Sequence, residues 1–149
     1  MNDPPEILIV DDDRDDVDIA LRAIQRENLD VRVAVASDGG EALEMLGIEP
    51  NESERPHVAP RVIFLDLKMP RVDGWEVLRR LRDHPATEKL PVVVLSWSSQ
   101  MNDVDRCYAL GANSFLVKRF DTTQPGAYFA EAVRYWAKLN QAPRVAIGD

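Results

Sequence analysis

Two runs, Val62-Ile63-Phe64-Leu65 and Val92-Val93-Val94-Leu95, are apolar at every position and rich in β-branched residues. A strand with one wet face alternates apolar and polar side chains, whereas a strand covered on both faces does not, as in the inner strands of a parallel sheet. These runs therefore commit the chain to an α/β layer architecture. The first begins at Arg61 and delivers a carboxylate, Asp66, to its carboxyl end before Pro70 stops it. The second spans 90–95 and ends at Ser96-Trp97-Ser98-Ser99. Three more strands are expected at 6–10, 31–36 and 113–117.

Helical spacing fills the intervals. Residues 14–27 repeat apolar positions at Val17, Ala20, Leu21 and Ile24, behind Asp13, Asp15 and Asp16, which suit a helix N-terminus. A short helix is expected from Glu41 to Leu46. Another follows Asp73-Gly74 with Val77, Leu78 and Leu81 inward, ending near His84-Pro85. A fourth has Val104, Cys107 and Tyr108 inward and stops at Gly111, and a last one covers about 125–140. Residues 47–60 carry three prolines and read as a long surface loop. Five strands alternating with five helices give a doubly wound five-stranded parallel sheet with right-handed crossovers.

The 149 residues, 45% of them hydrophobic, suit one domain spanning 1–149 with a real core. A net charge of −8 argues against nucleic acid as a partner. The single cysteine, Cys107, excludes an internal disulfide or a cysteine metal cluster. The N-terminus lacks a leader pattern and no apolar run approaches bilayer length, so no membrane span and a cytoplasmic location are expected.

Four strands end in polar groups: Asp11 and Asp12, Asp66, Ser96, and Lys118. In a parallel sheet these ends share one edge, where open α/β sheets keep their ligands. Three clustered carboxylates repel unless a cation joins them, and Mg²⁺, with its oxygen ligands and retained waters, suits such a site. Lys118 offers a positive charge and Ser96 a hydroxyl to the oxygens of a transferring phosphoryl group, with Asp66 as nucleophile. Taken singly, Asp11 and Asp12 also fit helix capping, Asp66 a turn, Ser96 a cap and Lys118 a solvated charge.

Together these motifs resemble the receiver domain of two-component response regulators, over nearly the whole chain. The acid pair in Ile-Leu-Ile-Val-Asp-Asp, the acceptor in Ile-Phe-Leu-Asp-Leu-Lys-Met-Pro, Asp73-Gly74, Ser96 and Lys118 each match that family's pattern. The resemblance implies the flavodoxin-like strand order 2-1-3-4-5, with phosphoryl transfer to Asp66 from a phosphohistidine on a sensor histidine kinase. It implies Mg²⁺ held by Asp12, Asp66 and the backbone carbonyl of Lys68, with Asp11 acting largely through water. It also implies a conformational switch at Ser96 and Phe115. Such a chain is a phosphoacceptor with slow self-dephosphorylation, not an enzyme in the usual sense. The stretch Asp-Asp-Val-Asp-Ile-Ala-Leu-Arg-Ala-Ile, the 47–60 loop and the aromatic last helix are similar to single-domain regulators paired with bacterial phytochromes, which implies such a kinase as partner and no output domain.

Several residues depart from the family pattern. Arg119 stands where the family has a cis proline, and a cis bond before a non-proline costs roughly 3–4 kcal/mol, so a trans Lys118-Arg119 bond is expected. Trp97 replaces a small residue beside the pocket and is expected to narrow access. Lys68 and Ser98 hold positions that flank the water attacking the acyl phosphate. Phe115 replaces the more usual Tyr. In the last helix Phe129, Ala132, Val133, Trp136 and Leu139 make one apolar face, with Tyr128 and Tyr135 toward another side. A helix apolar on two sides suggests a homodimer through this region, with Tyr128, Tyr135 and Trp136 at its face. Two other readings remain. One is a receiver-like interaction module that is no longer phosphorylated. The other is an aspartate-nucleophile phosphatase, which requires an acid where Lys68 stands.

Overall fold

The computed structural model describes residues 3–51, 54 and 56–144. Five strands, β1 (Glu6–Val10), β2 (Arg32–Ala36), β3 (Val62–Asp66), β4 (Val92–Ser96) and β5 (Ser114–Val117), pair in parallel in the order β2-β1-β3-β4-β5. The expected strands are therefore all present in the expected order. The helices are α1 (Arg14–Arg26), α2 (Gly39–Met45), α3 (Gly74–Asp83), α4 (Met101–Ala109) and α5 (Ala127–Val133), and α5 continues as a π-helical segment, Arg134–Leu139.

Strand parity sorts the core into two faces. Ile7, Ile9, Val62, Phe64, Val93 and Leu95 point toward α1 and α5, where they meet Ala20, Ile24, Phe129, Val133 and Ala137. Leu8, Val10, Ile63, Leu65 and Val92 point the other way, onto α2 and α3. Val94 and Leu67 share a smaller cluster with Cys107 of α4 and the half-buried Trp75 and Phe115. Burial pushes the Cys107 thiol up to about 12, in keeping with a core residue.

Three helices start on aspartates whose side chains accept backbone N–H groups: Asp13 for α1, Asp38 for α2 and Asp73 for α3. Gly74 then solves a steric problem. A Cβ there would lie 2.3 Å from the Asp66 carbonyl oxygen, so only glycine lets α3 begin directly against the end of β3.

Four details differ from expectation. Tyr108 is exposed, because α4 covers only a narrow strip of the sheet and Cys107 alone is buried along it. Leu139 is also exposed, at 73%, because the π-helical segment widens the turn and brings Ala137 inward in its place. Tyr128 does not point to a separate side with Tyr135: it is half-buried against the cluster containing Phe129, where Trp136 lies as expected, while Tyr135 is exposed, its ring edge-on to Trp136. The 47–60 loop runs over the surface but is pinned by buried Val58, whose N–H donates to the Met45 carbonyl. Glu52, Ser53 and Arg55 of that loop lie outside the described residues.

Candidate functional site

The register sets the floor of the site. Val10 pairs with Leu65, so Asp11 and Asp66 end their strands side by side. Asp66 pairs with Leu95, and Ser96 with Val117, so each following strand reaches one residue further. The Lys118 N–H donates to the Ser96 carbonyl at 2.7 Å, which fixes the start of the loop after β5. No cis peptide occurs among the described residues, so the Lys118-Arg119 bond is trans as expected.

Lys118 nonetheless reaches the acids. Its buried Nζ donates to Asp11 Oδ2 at 2.9 Å and to Asp16 Oδ2 at 2.7 Å, and lies 3.6 Å from Asp66 Oδ1. Burial works against its charge, but the hydrogen bond to Asp16 and the Asp66 and Asp11 carboxylates outweigh burial and raise its pKa, so the ammonium stays charged. Burial pushes the Asp66 carboxyl up to about 7 against the pull of Lys118, and Asp11 and Asp12 add repulsion. Burial also raises Asp11, opposed by the Asp13 N–H and by Lys118.

The donor set fits a hard cation. Asp11, Asp12 and Asp66 each offer a carboxylate oxygen, and these oxygens lie within 4.8 Å of one another. One buried ammonium beside them leaves excess negative charge, which an oxygen-seeking divalent ion would neutralise. A cavity of about 240 Å³ opens above this group, lined by Asp12, Asp13, Asp16, Asp66, Lys68, Ser96, Trp97, Ser98 and Lys118. A larger cavity near Arg32 and Arg61, at the amino ends of the strands, gathers none of these groups.

Most residues expected at the site are brought together. Ser96 is buried at the cavity wall and its Oγ accepts the Ser98 N–H. The Ser98 hydroxyl donates to Asp103 and accepts the Gln100 N–H, so it braces the start of α4. Lys68 is exposed at the rim. Trp97 is 55% exposed at the mouth, with its indole N–H on Asp16 Oδ2 at 3.2 Å. Arg119 points to solvent and lines the neighbouring cavity between α1 and the loop after β5. Phe115 lies apart from the acids, half-buried beside Trp75 and Cys107.

Sequence reasoning missed Asp16, which it took as a charge suited to the helix dipole. The available signal was its place three residues after the cap Asp13, which turns its side chain back over the strand ends.

The response regulator receiver domain model matches residues 7–125. The probable methanogenesis regulatory protein FilR2 of Methanothrix harundinacea is 32% identical over 95% of this chain and 89% of its own. The response regulator Rcp1 of Synechocystis is 32% identical over 78% of each chain. The crystal structure of the Mn²⁺-bound form of Rcp1 superposes with a TM-score of 0.80 at 27% identity, covering 95% of this chain and 100% of that one. The phosphorylated cyanobacterial phytochrome response regulator RcpA superposes with a TM-score of 0.83 at 28% identity over 95% of this chain and 99% of its own. Fold, strand-end chemistry and these likenesses agree, and the chain belongs to the receiver domain family of two-component response regulators.

Proposed function

We propose that the chain is a response regulator receiver that accepts a phosphoryl group on Asp66 from a sensor histidine kinase and signals through protein contacts. The observation that carries this is the convergence of Asp11, Asp12, Asp66 and the buried Lys118 at one sheet edge. In the reaction, an Asp66 carboxylate oxygen bonds to phosphorus as the P–N bond of a phosphohistidine breaks. The bonding pair leaves with the imidazole nitrogen, which takes a proton from solvent. Asp11, Asp12 and Asp66, with the Lys68 carbonyl, would hold Mg²⁺, which when bound offsets carboxylate repulsion and phosphoryl charge. Lys118 presents its ammonium to the phosphoryl oxygens, and Ser96 contributes its hydroxyl. Ser96 and Phe115 would relay the change toward α4, to which both are linked through the Ser98 brace and the Cys107 cluster.

The likeness to phytochrome response regulators supports a phytochrome-type kinase as donor. The dimer reading rests on exposed Tyr135 and Leu139 of the last helix, with Val117 at the end of β5 and Phe120 in the loop after it also exposed. No described helix is long and apolar enough to cross a membrane. The reading as an unphosphorylated interaction module is disfavoured because Lys118 reaches Asp11 and approaches Asp66 despite Arg119.

The test is incubation with acetyl phosphate and Mg²⁺, read by intact mass. A phosphorylated wild type and an unmodified Asp66→Asn are expected. Wild type left unmodified by both acetyl phosphate and a phosphorylated kinase would overturn the proposal.

A further inference from the structure

The strongest contact of the buried lysine is not made to a strand end. Lys118 Nζ approaches Asp16 Oδ2, on the first turn of α1, at 2.7 Å, closer than Asp11 at 2.9 Å or Asp66 at 3.6 Å. An ammonium has three donor protons, and hydrogen bonds to Asp11 and Asp16 use two of them. The distance to Asp66 is beyond a proper hydrogen bond. That gap matters chemically, because an ammonium bonded directly to the nucleophilic carboxylate would tie up the oxygen that must attack phosphorus.

Asp16 can hold the lysine because it is itself held. Its N–H donates to Asp13 Oδ1 at 3.3 Å, and its Oδ2 accepts the Trp97 indole N–H at 3.2 Å. One carboxylate thus joins α1, the loop after β4 and the end of β5. The lysine side chain has four rotatable bonds and a point charge with no directional plane, so its position depends on the anions around it. Asp11 and Asp66 lie on adjacent strand ends, and without a third anion the ammonium would settle between them.

We infer that Asp16 is a positioning residue, which draws the Lys118 ammonium toward α1, leaves the Asp66 carboxylate free to attack, and keeps the third ammonium proton for the incoming phosphoryl group. The inference rests on the proposed role of Asp66 as acceptor. Asp16→Asn keeps size and shape but loses the anion, so Lys118 shifts onto Asp66.

The test measures phosphorylation by acetyl phosphate with Mg²⁺ in wild type, Asp16→Asn, Asp16→Glu, Lys118→Ala and the double variant Asp16→Asn with Lys118→Ala. The small donor removes any contribution from kinase docking. About a tenfold slower rate is expected for Asp16→Asn, with partial recovery in Asp16→Glu and no further loss in the double variant, since residues acting through one group are non-additive. An Asp16→Asn rate equal to wild type overturns the inference. So does an equal fold-loss in the Lys118→Ala background, which would mean that Asp16 acts otherwise than through the lysine.

A second readout separates this inference from the acceptor role itself. The side-chain NMR resonances of Lys118 and the Trp97 indole N–H resonance, in unphosphorylated protein, are expected to shift in Asp16→Asn and return toward wild type in Asp16→Glu. A Lys118 resonance unmoved by Asp16→Asn overturns the inference even in a chain that accepts no phosphoryl group. A shifted resonance in a chain that is never phosphorylated overturns the acceptor reading and leaves the lysine's placement by Asp16 standing.

Discussion

In the proposed function Asp66 is the residue on which the chemistry turns, and its environment imposes a pH dependence. Burial, with Asp11 and Asp12 adding to it, holds its carboxyl near 7 in the metal-free protein. Between the ordinary carboxylate range and about 7 the folded chain therefore keeps a proton that the unfolded chain has lost. Metal-free stability falls as pH rises through that window, and this contribution is fully lost above it. A cation must displace the proton, so Mg²⁺ should bind about tenfold more tightly at pH 8 than at pH 6. Titration followed by tryptophan fluorescence measures this, and equal affinities would contradict the assignment. Trp97 is the second residue with a specific expectation. It stands at the mouth of the cavity, so Trp97→Ala should speed both acetyl phosphate modification and loss of the phosphoryl group, by about threefold or more, on the order of 1 kcal/mol of barrier. Trp97→Phe, which keeps the bulk and loses only the indole N–H to Asp16, should show none of this acceleration. The residues at strand ends were legible from sequence because a parallel sheet brings its carboxyl ends together whatever the loops do. Asp16 was not, because its role depends on where a long lysine side chain from the other end of the chain comes to rest.

At the scale of elements, the site depends on how α3 meets the sheet, and the stability of the fold on how α5 does. Gly74 puts the start of α3 against the Asp66 carbonyl, with its N–H on the Leu67 carbonyl at 2.8 Å. Gly74→Ala must push the helix away, at a cost of about 1–3 kcal/mol. Urea unfolding should show that loss together with slower phosphorylation, whereas a loss of stability alone would separate α3 from the site. On the opposite face Phe129 is buried with its ring edge-on to Phe64 at 4.8 Å between centroids, so Phe129→Ala should cost about 3–5 kcal/mol. Apolar spacing revealed α1 and α3 correctly because each is a regular helix on a broad sheet face. It turned Leu139 inward wrongly because spacing assumes an α-helical repeat throughout, and the π-helical turn, whose Ala137 carbonyl accepts from Arg61, carries no signature in apolar spacing. Tyr108 was misread for a related reason, since the spacing gives a stripe but not the width of sheet available to cover it.

At the scale of the whole molecule, the fold was readable because two fully apolar strands and alternating helices admit few arrangements, and the observed order β2-β1-β3-β4-β5 is one of them. How copies associate is harder to read, since it depends on residues the core leaves uncovered. With Tyr128 and Trp136 packed inward, the proposed self-contact falls to exposed Tyr135 and Leu139. Tyr135→Glu with Leu139→Glu should raise the dimer dissociation constant at least tenfold in light scattering, on the scale of an interface residue worth more than 1 kcal/mol. A wild type that is monomeric at all accessible concentrations, phosphorylated or not, would remove the dimer from the account. The central claim is that Asp66 receives the phosphoryl group, and borohydride trapping addresses it most directly. The protein is phosphorylated by a histidine kinase, reduced so that an aspartyl phosphate becomes homoserine, and mapped by peptide mass. Homoserine at position 66 alone is the expected result, and an unmodified Asp66, or trapping at Asp11 or Asp12 instead, would contradict it.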